Sequence, residues 1–387
     1  MQQIYLDHNA TTPLRPDVLE AMLPYLHTHF GNPSSVHRTG RRAKQGLEEA
    51  REQIAACIRA KPAEVLFTSG GTESNSLALV GAARAQGPAK THIITTPVEH
   101  SSVLACVQAL SREGFSHTLL PVDAEGRIRA DDLAAAVRDD TALVSIGLAN
   151  PELGTLQPIA ACSRLTRQRG LVLHVDAVQA TGKLALDMEE LGADVVSLSA
   201  HKIYGPKGIG ALYVRHGTGL VPVLRGGPQE REKRAGTENV AAAVGFGIAA
   251  VLARDELAAV SARLTELTAR LWTGIQASVP DVVRNTPRRQ CLPNTLNLGF
   301  PGASGEGLMM GLDLAGIAVS TGSACAAGSV EPSHVLLALG HDAQTAKSAI
   351  RFSLGRDTTR QDIDRVVAVL PGIVERVRAA GQTSGRE

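Results

Sequence analysis

Leu171-Val172-Leu173-His174-Val175-Asp176 and Asp194-Val195-Val196-Ser197-Leu198-Ser199-Ala200-His201-Lys202 are two apolar runs, each of which ends in charge. Runs of this length, rich in Val and Leu, read as strands buried in a parallel sheet. Open α/β sheets bind their ligands at the carboxyl ends of the strands. Asp176 and Lys202 are therefore expected at one edge of one sheet.

A carboxylate at one strand end and an amine just past the next match the needs of pyridoxal phosphate (PLP). The lysine bonds the cofactor covalently and the aspartate keeps the pyridine nitrogen protonated. Taken alone, the pair also reads as a loop lysine and an ordinary Asp-Ala strand-to-turn step. Gln179, three residues after Asp176, can point the same way and donate to the cofactor's phenolate oxygen. Ser199 and His201 flank the lysine as groups suited to a phosphate, or as plain turn residues.

Working outward, short β-rich runs alternate with helical patterns from about Glu64 to Val214. The strand candidates are Val65-Phe67, His92-Thr95, Thr118-Val122, Ala142-Leu148, Leu171-Val175, Val195-Ser199 and Gly210-Val214. Amphipathic stretches such as Ser101-Leu110, Ala130-Val137 and Ile159-Gln168 lie between them. The alternation predicts an α/β fold with a mainly parallel, seven-stranded, doubly wound sheet. A long helix from Val240 to about Ser278 leads to further strand candidates, Asn294-Leu298, Ala315-Ser320 and Ala349-Leu354, and a last helix from Arg360 to Ala379. These predict a smaller α+β domain. The expected large domain spans residues 16–255; residues 1–15 and 256–387 form the small one. Their boundary falls inside the long helix.

Composition narrows the function class. The 387 residues are 44% hydrophobic and 20% charged with a net charge of +1, which gives no basic field for nucleic acid or an anionic membrane. The amino terminus lacks the basic and apolar regions of a secretion signal. Val240 to Ala253 falls short of the roughly 20 apolar residues of a spanning helix. Five scattered cysteines, Cys57, Cys106, Cys162, Cys291 and Cys325, show neither metal-ligand spacing nor a disulfide framework. A cytoplasmic protein is expected, with neither metal nor membrane.

Two further turns belong with the lysine. Thr68-Ser69-Gly70-Gly71-Thr72-Glu73 follows the first strand and opens a helix around Ser76-Ala83, so the backbone can approach an anion at a helix amino terminus. A plain glycine-containing turn capped by Thr72 is the alternative. His100, after the next strand, can stack on a pyridine ring and relay a proton, or simply stand beside a helix cap. Asn150 and Glu152 follow the fourth strand at the same edge.

Cys325 lies in Gly322-Ser323-Ala324-Cys325-Ala326-Ala327-Gly328, a run of small residues quite unlike the surroundings of a core cysteine. Such a loop, about residues 320–334, suits a nucleophile that must reach a substrate and withdraw; an incidental cysteine in a small-residue turn is the alternative. Arg351, inside Ile350-Arg351-Phe352-Ser353, can grip a substrate carboxylate with both arms of its guanidinium, or lie on an edge strand at the surface.

In order along nearly the whole chain, these motifs resemble the group I (NifS/IscS-type) cysteine desulfurases, class V members of the fold-type I PLP enzymes. The resemblance rests on Tyr5-Leu6-Asp7-His8-Asn9-Ala10-Thr11-Thr12, Gly31-Asn32-Pro33-Ser34-Ser35-Val36-His37, Phe67 to Ser74, Val98-Glu99-His100 and Val175-Asp176-Ala177-Val178-Gln179. It continues through Ser199 to Gly208, Arg234-Ala235-Gly236-Thr237-Glu238-Asn239, Gly322-Ser323-Ala324-Cys325 and Ile350 to Ser353. It implies that Lys202 binds PLP covalently, that Asp176 and Gln179 hold the ring, and that His100 stacks on it. Gly71, Thr72, Ser199 and His201 would bind the phosphate, and Thr237 the phosphate of the neighbouring subunit in a homodimer. Asn150 and Arg351 would take the carboxylate of L-cysteine, and Cys325 its sulfur, leaving alanine and a persulfide for a sulfur acceptor such as an iron–sulfur scaffold or sulfur carrier. Selenocysteine lyases and aminotransferases of class V are neighbouring alternatives, with a non-catalytic sulfur-relay subunit a more distant one. Two departures stand out: Asn150-Pro151-Glu152 replaces the usual Asn-Asn-Glu, and the chain ends soon after its last helix, without the tail by which housekeeping members meet their scaffold.

Overall fold

The computed structural model describes residues 3–321 and 331–383; Cys325 and the residues around it lie outside them. Twelve strands are present in the described residues. They are β1 (Ile4–Tyr5), β2 (Val65–Thr68), β3 (His92–Thr95), β4 (Ser116–Leu119), β5 (Thr141–Gly147), β6 (Val172–Asp176), β7 (Val195–Ser199), β8 (Gly210–Val214), β9 (Val283–Arg284), β10 (Thr295–Gly299), β11 (Ile317–Ala318) and β12 (Ala349–Ser353).

Seven of them form one sheet in the order β2-β8-β7-β6-β5-β3-β4. Its pairs are parallel except those of β8, which runs antiparallel to both β2 and β7. The expected mixed α/β architecture with a mostly parallel seven-stranded sheet is thus present. Strand β4 lies slightly earlier than its sequence predicts, ending at Leu119. Pro121, which has no N–H to donate, follows one residue after Leu120 closes the ladder onto the Thr95 carbonyl.

Two buried cores flank the chain's longest helix, Val240–Ser278. Its first turns, with Ala243, Phe246 and Ala250, pack in the core of the large sheet, whereas Leu264, Leu271 and Ile275 pack with Leu296, Leu298, Phe352 and Ile363. The second core lies beside the three-stranded antiparallel sheet β12-β10-β9. A two-stranded parallel pair, β1 with β11, ties the amino-terminal segment to this region.

The register fixes the edge that matters. Thr68 pairs with Gly210, Gly147 with Asp176, Asp176 with Ser197 and Ser199 with Gly210. The turns after β2, β3, β5, β6 and β7 therefore open on the same side of the sheet.

Candidate active site

Those turns line a cavity of about 270 Å³ with Gly71, Thr72, Asn75, Glu99, His100, Ser102, Asn150, Pro151, Asp176, Gln179, His201 and Lys202 among its walls. Eight of the candidate site residues, Asn150 among them, thus meet around one space.

Asp176 ends β6 and turns its carboxylate into two hydrogen bonds. Oδ1 accepts from the Val178 backbone N–H at 3.0 Å and Oδ2 from Asn75 Nδ2 at 2.7 Å. The same Asn75 amide donates to Ser102 Oγ at 2.9 Å, and Ser102 Oγ lies 2.8 Å from His100 Nδ1. A buried relay therefore runs from Asp176 through Asn75 and Ser102 to His100. The Ser102 backbone N–H also points at His100 Nδ1, at 3.2 Å. An N–H can only donate, so Nδ1 is the acceptor and neutral His100 carries its proton on Nε2. His100 is both the cap of helix Ser101–Arg112 and a wall of the cavity.

Lys202 follows β7 in a short 3₁₀ turn, Ala200–Lys202. Its Nζ donates to the Asn9 carbonyl at 2.5 Å and the Ala10 carbonyl at 2.8 Å. Gln179 Nε2 donates to that Asn9 carbonyl too, at 2.9 Å. The amino-terminal segment thus closes the cavity floor beneath both side chains. His201 meets Thr11 Oγ1 at 3.1 Å, and desolvation, aided by the charges of Lys202, Lys207 and Lys183, lowers its imidazole to about 4. It is neutral at ordinary pH.

The structure offers an anion a place at the start of helix Gly71–Ala85, which begins earlier than its apolar residues predict. Glycine is required here by space as well as by conformation. Gly70 adopts φ +154°, and a Cβ on Gly71 would stand 2.8 Å from Val178 Cγ2. Opposite, Ser199 is fully buried and its Oγ has no hydrogen-bond partner among the described residues. A buried hydroxyl without a partner costs stability unless a ligand satisfies it. With the free N–H groups of the helix start, the neutral His201 and the Asp176 carboxylate across the cavity, this donor set fits the phosphate and ring of PLP.

The residues expected to meet a substrate carboxylate are placed differently from one another. Asn150 lines the cavity, but its side chain also shapes the turn: Nδ2 donates to the Val98 carbonyl at 2.9 Å, and Oδ1 accepts from the backbone of Glu152 and Leu153 at 2.9 and 2.8 Å. Pro151 removes the donor that an asparagine backbone would supply. Arg351 sits on β12, 2% exposed, and reaches the Pro151 carbonyl at 3.3 Å and Asp7 Oδ1 at 2.6 Å. Thr237 is exposed and lies in the segment before helix Val240–Ser278, outside the cavity lining. The neighbouring Arg234 anchors that segment through Glu73, at 2.8 Å.

Four residues at or beside the site were assigned no role from the sequence. Asn75 lies one turn into helix Gly71–Ala85 and Ser102 in the first turn of helix Ser101–Arg112, where a polar residue reads as ordinary surface or cap. Glu99 is buried against the Gly147 N–H and Thr96 Oγ1, and burial raises its carboxyl to about 7, with Asp176 adding to the rise. Lys183 donates to Gln179 Oε1 at 2.9 Å. The spacing of Gln179 and Lys183, four apart in a turn, was the available signal. Downstream of Cys325, Ser333 Oγ donates to Glu152 at 2.7 Å and His334 Nε2 meets the Glu99 carbonyl at 3.1 Å, so the described chain resumes against this site.

Comparison with known proteins agrees with this geometry. The model of the class-V aminotransferases matches residues 4–366. The IscS cysteine desulfurase of Dictyoglomus turgidum is 48% identical over 97% of this chain and 96% of its own length. A solved NifS-like protein superposes with a TM-score of 0.91 at 37% identity, over 97% of this chain and all of its own. SspA in complex with cysteine superposes at 0.81, with 36% identity over 92% of this chain and all of its own. The chain belongs to the class-V aminotransferases and, within them, to the PLP-dependent NifS/IscS-type cysteine desulfurases.

Proposed function

We propose that this desulfurase takes the sulfur of L-cysteine as a persulfide on Cys325, and that the described cavity holds the cofactor and the amino acid during the transfer. The observation that carries the reading is the convergence of Asp176, His100 and Lys202 on one cavity, with Asp176 fixed by Asn75 at 2.7 Å. When bound, PLP withdraws electrons from the substrate's Cα–H bond, which permits its Cβ–S bond to break.

The chain's own groups do the rest. Lys202 would hold the cofactor covalently, and its amine is the group that would move the Cα proton. Asp176 would hold the ring nitrogen, Gln179 the phenolate oxygen, and His100 the ring face. Gly71, Thr72, Ser199 and His201 receive the phosphate. Asn150 and Arg351 receive the substrate carboxylate. His100 is the first acceptor expected for the Cys325 thiol proton, but with Nδ1 held by Ser102 its other nitrogen, Nε2, bears a proton and serves as a donor instead. The Cys325 sulfur bonds to the substrate sulfur as the Cβ–S bond breaks, so one cysteine and one thiol yield one alanine and one persulfide.

Burial raises the thiols of Cys57 and Cys162 to about 11, which leaves them poor thiolates and supports Cys325 as the nucleophile. A homodimer is supported by the exposed Leu19, Leu23, Leu26 and Phe30, the last 73% exposed, and by the position of Thr237 outside its own cavity. No helix among the described residues is long and apolar enough to cross a membrane. The persulfide would pass to an iron–sulfur scaffold or sulfur carrier in the cytoplasm.

The test is to give L-cysteine and a thiol reductant to the PLP-loaded protein and measure alanine and sulfide. Equal yields support the reading. A keto acid product, or full activity in Cys325→Ala, overturns it.

A further inference from the structure

Lys183 occupies an unusual place. It is partly buried on the far side of Gln179 from the cofactor cavity, in a second recess that it shares with Lys202, His8, Tyr204 and Glu256. Its Nζ donates to Gln179 twice, to the backbone carbonyl at 3.1 Å and to Oε1 at 2.9 Å. It forms no ion pair among the described residues, and the charges that act on it, Lys202 and Arg351, are both cationic. His8 and His201 in turn feel its charge. Desolvation and those cations lower its ammonium to about 7. A desolvated lysine that pairs with no carboxylate among the described residues gives up stability, so its contacts with Gln179 call for a functional explanation.

Those contacts determine which way the Gln179 carboxamide faces. A lysine nitrogen bearing protons donates, so Oε1 must face Lys183, and Nε2 then faces the Asn9 carbonyl at 2.9 Å. One N–H of Nε2 is used there. The other is left to meet a group in the cavity that Gln179 lines. Without Lys183 only the Asn9 carbonyl would oppose a half-turn of the amide, which would present an acceptor where a donor is needed.

We propose that Lys183 is a positioning residue that locks the Gln179 carboxamide with its N–H toward the cofactor's ring oxygen. The inference rests on the reading of Gln179 as a ligand of that oxygen. Both neutral and charged Lys183 donate to Oε1, so the lock holds through its titration.

The test is the absorbance pH titration of the PLP-loaded protein. A donor withdraws charge from the ring oxygen, so the cofactor's midpoint lies lower with the donor than without it. Gln179→Leu and Lys183→Met should each raise the midpoint by about one pH unit. The double variant should go no higher than Gln179→Leu alone. Lys183→Gln, which offers a neutral donor of similar reach, should restore the wild-type midpoint and serves if Lys183→Met does not fold. Additive shifts, or a Lys183→Gln midpoint like that of Lys183→Met, would show a through-space charge effect and overturn the proposal, as would an unmoved midpoint in both Lys183 variants. An unmoved midpoint in Gln179→Leu alone would overturn the underlying reading of Gln179.

Discussion

Arg351 Nη2 pairs with Asp7 Oδ1 at 2.6 Å, an ion pair in which the arginine side chain is 3% exposed and the aspartate 18%. The pair joins β12 to the amino-terminal segment that also supplies Asn9 and Ala10 to Lys202. The guanidinium proposed to hold the substrate is thus positioned by a carboxylate of the chain itself. Arg351→Lys keeps the charge but loses the planar fork. It is expected to raise KM for cysteine about tenfold or more while kcat falls less, as loss of one charged hydrogen bond implies. Initial rates against cysteine concentration check this; an unchanged KM would remove Arg351 from the substrate's grip.

Asn75 bridges Asp176 and Ser102 from a fully buried position. Asn75→Ala leaves both partners short of a donor, with an expected loss of about 1–3 kcal/mol in stability. Asn75→Asp sets a carboxyl group against Asp176 and is expected to weaken PLP binding further. Thermal melts and the PLP dissociation constant, measured by fluorescence, follow the two effects separately. Wild-type PLP affinity in both variants would mean that Asp176 needs no support from Asn75.

Glu152 is buried, bonded to Ser333, and held by burial at a carboxyl pKa of about 7. Its folded pKa lies above the unfolded value of 4.5, so the native state keeps a proton there that the unfolded chain has lost. Stability from this group is complete below about pH 4.5 and is lost as pH rises through about 7. Glu152→Gln is expected to flatten that dependence by roughly 3 kcal/mol across the window. Denaturant titrations of both proteins at pH 5 and pH 8 measure it. Parallel pH dependence in the two would place the titration elsewhere.

Much of the fold was legible because buried parallel strands are apolar throughout. The runs ending at Asp176 and Ser199 fall within one residue of β6 and β7, and helix Val240–Ser278 matches its predicted span. Short strands were less legible. Ala315-Ser320 reduces to Ile317–Ala318, which pair with β1, and a separate single bridge from Ser320 to Arg351. At the site, Asp176, Lys202 and His100 were legible because each is a charged or titratable group at a strand's end. Asn75 and Lys183 were not, since what distinguishes them is the partner they meet in space, Asp176 in one case and Gln179 in the other. The polar atoms of Asn150 are also engaged with its own turn, a use that spacing alone does not reveal.

Sulfur location after one turnover tests the central claim most directly. PLP-loaded protein is mixed with one equivalent of L-cysteine without reductant, alkylated and digested, and the peptides are weighed alongside the alanine formed. The expected result is one extra sulfur atom on the peptide bearing Cys325 for each alanine, and neither alanine nor modified peptide in Cys325→Ala. Extra sulfur on the peptides of Cys57, Cys106, Cys162 or Cys291, or alanine formed without Cys325, would contradict the account.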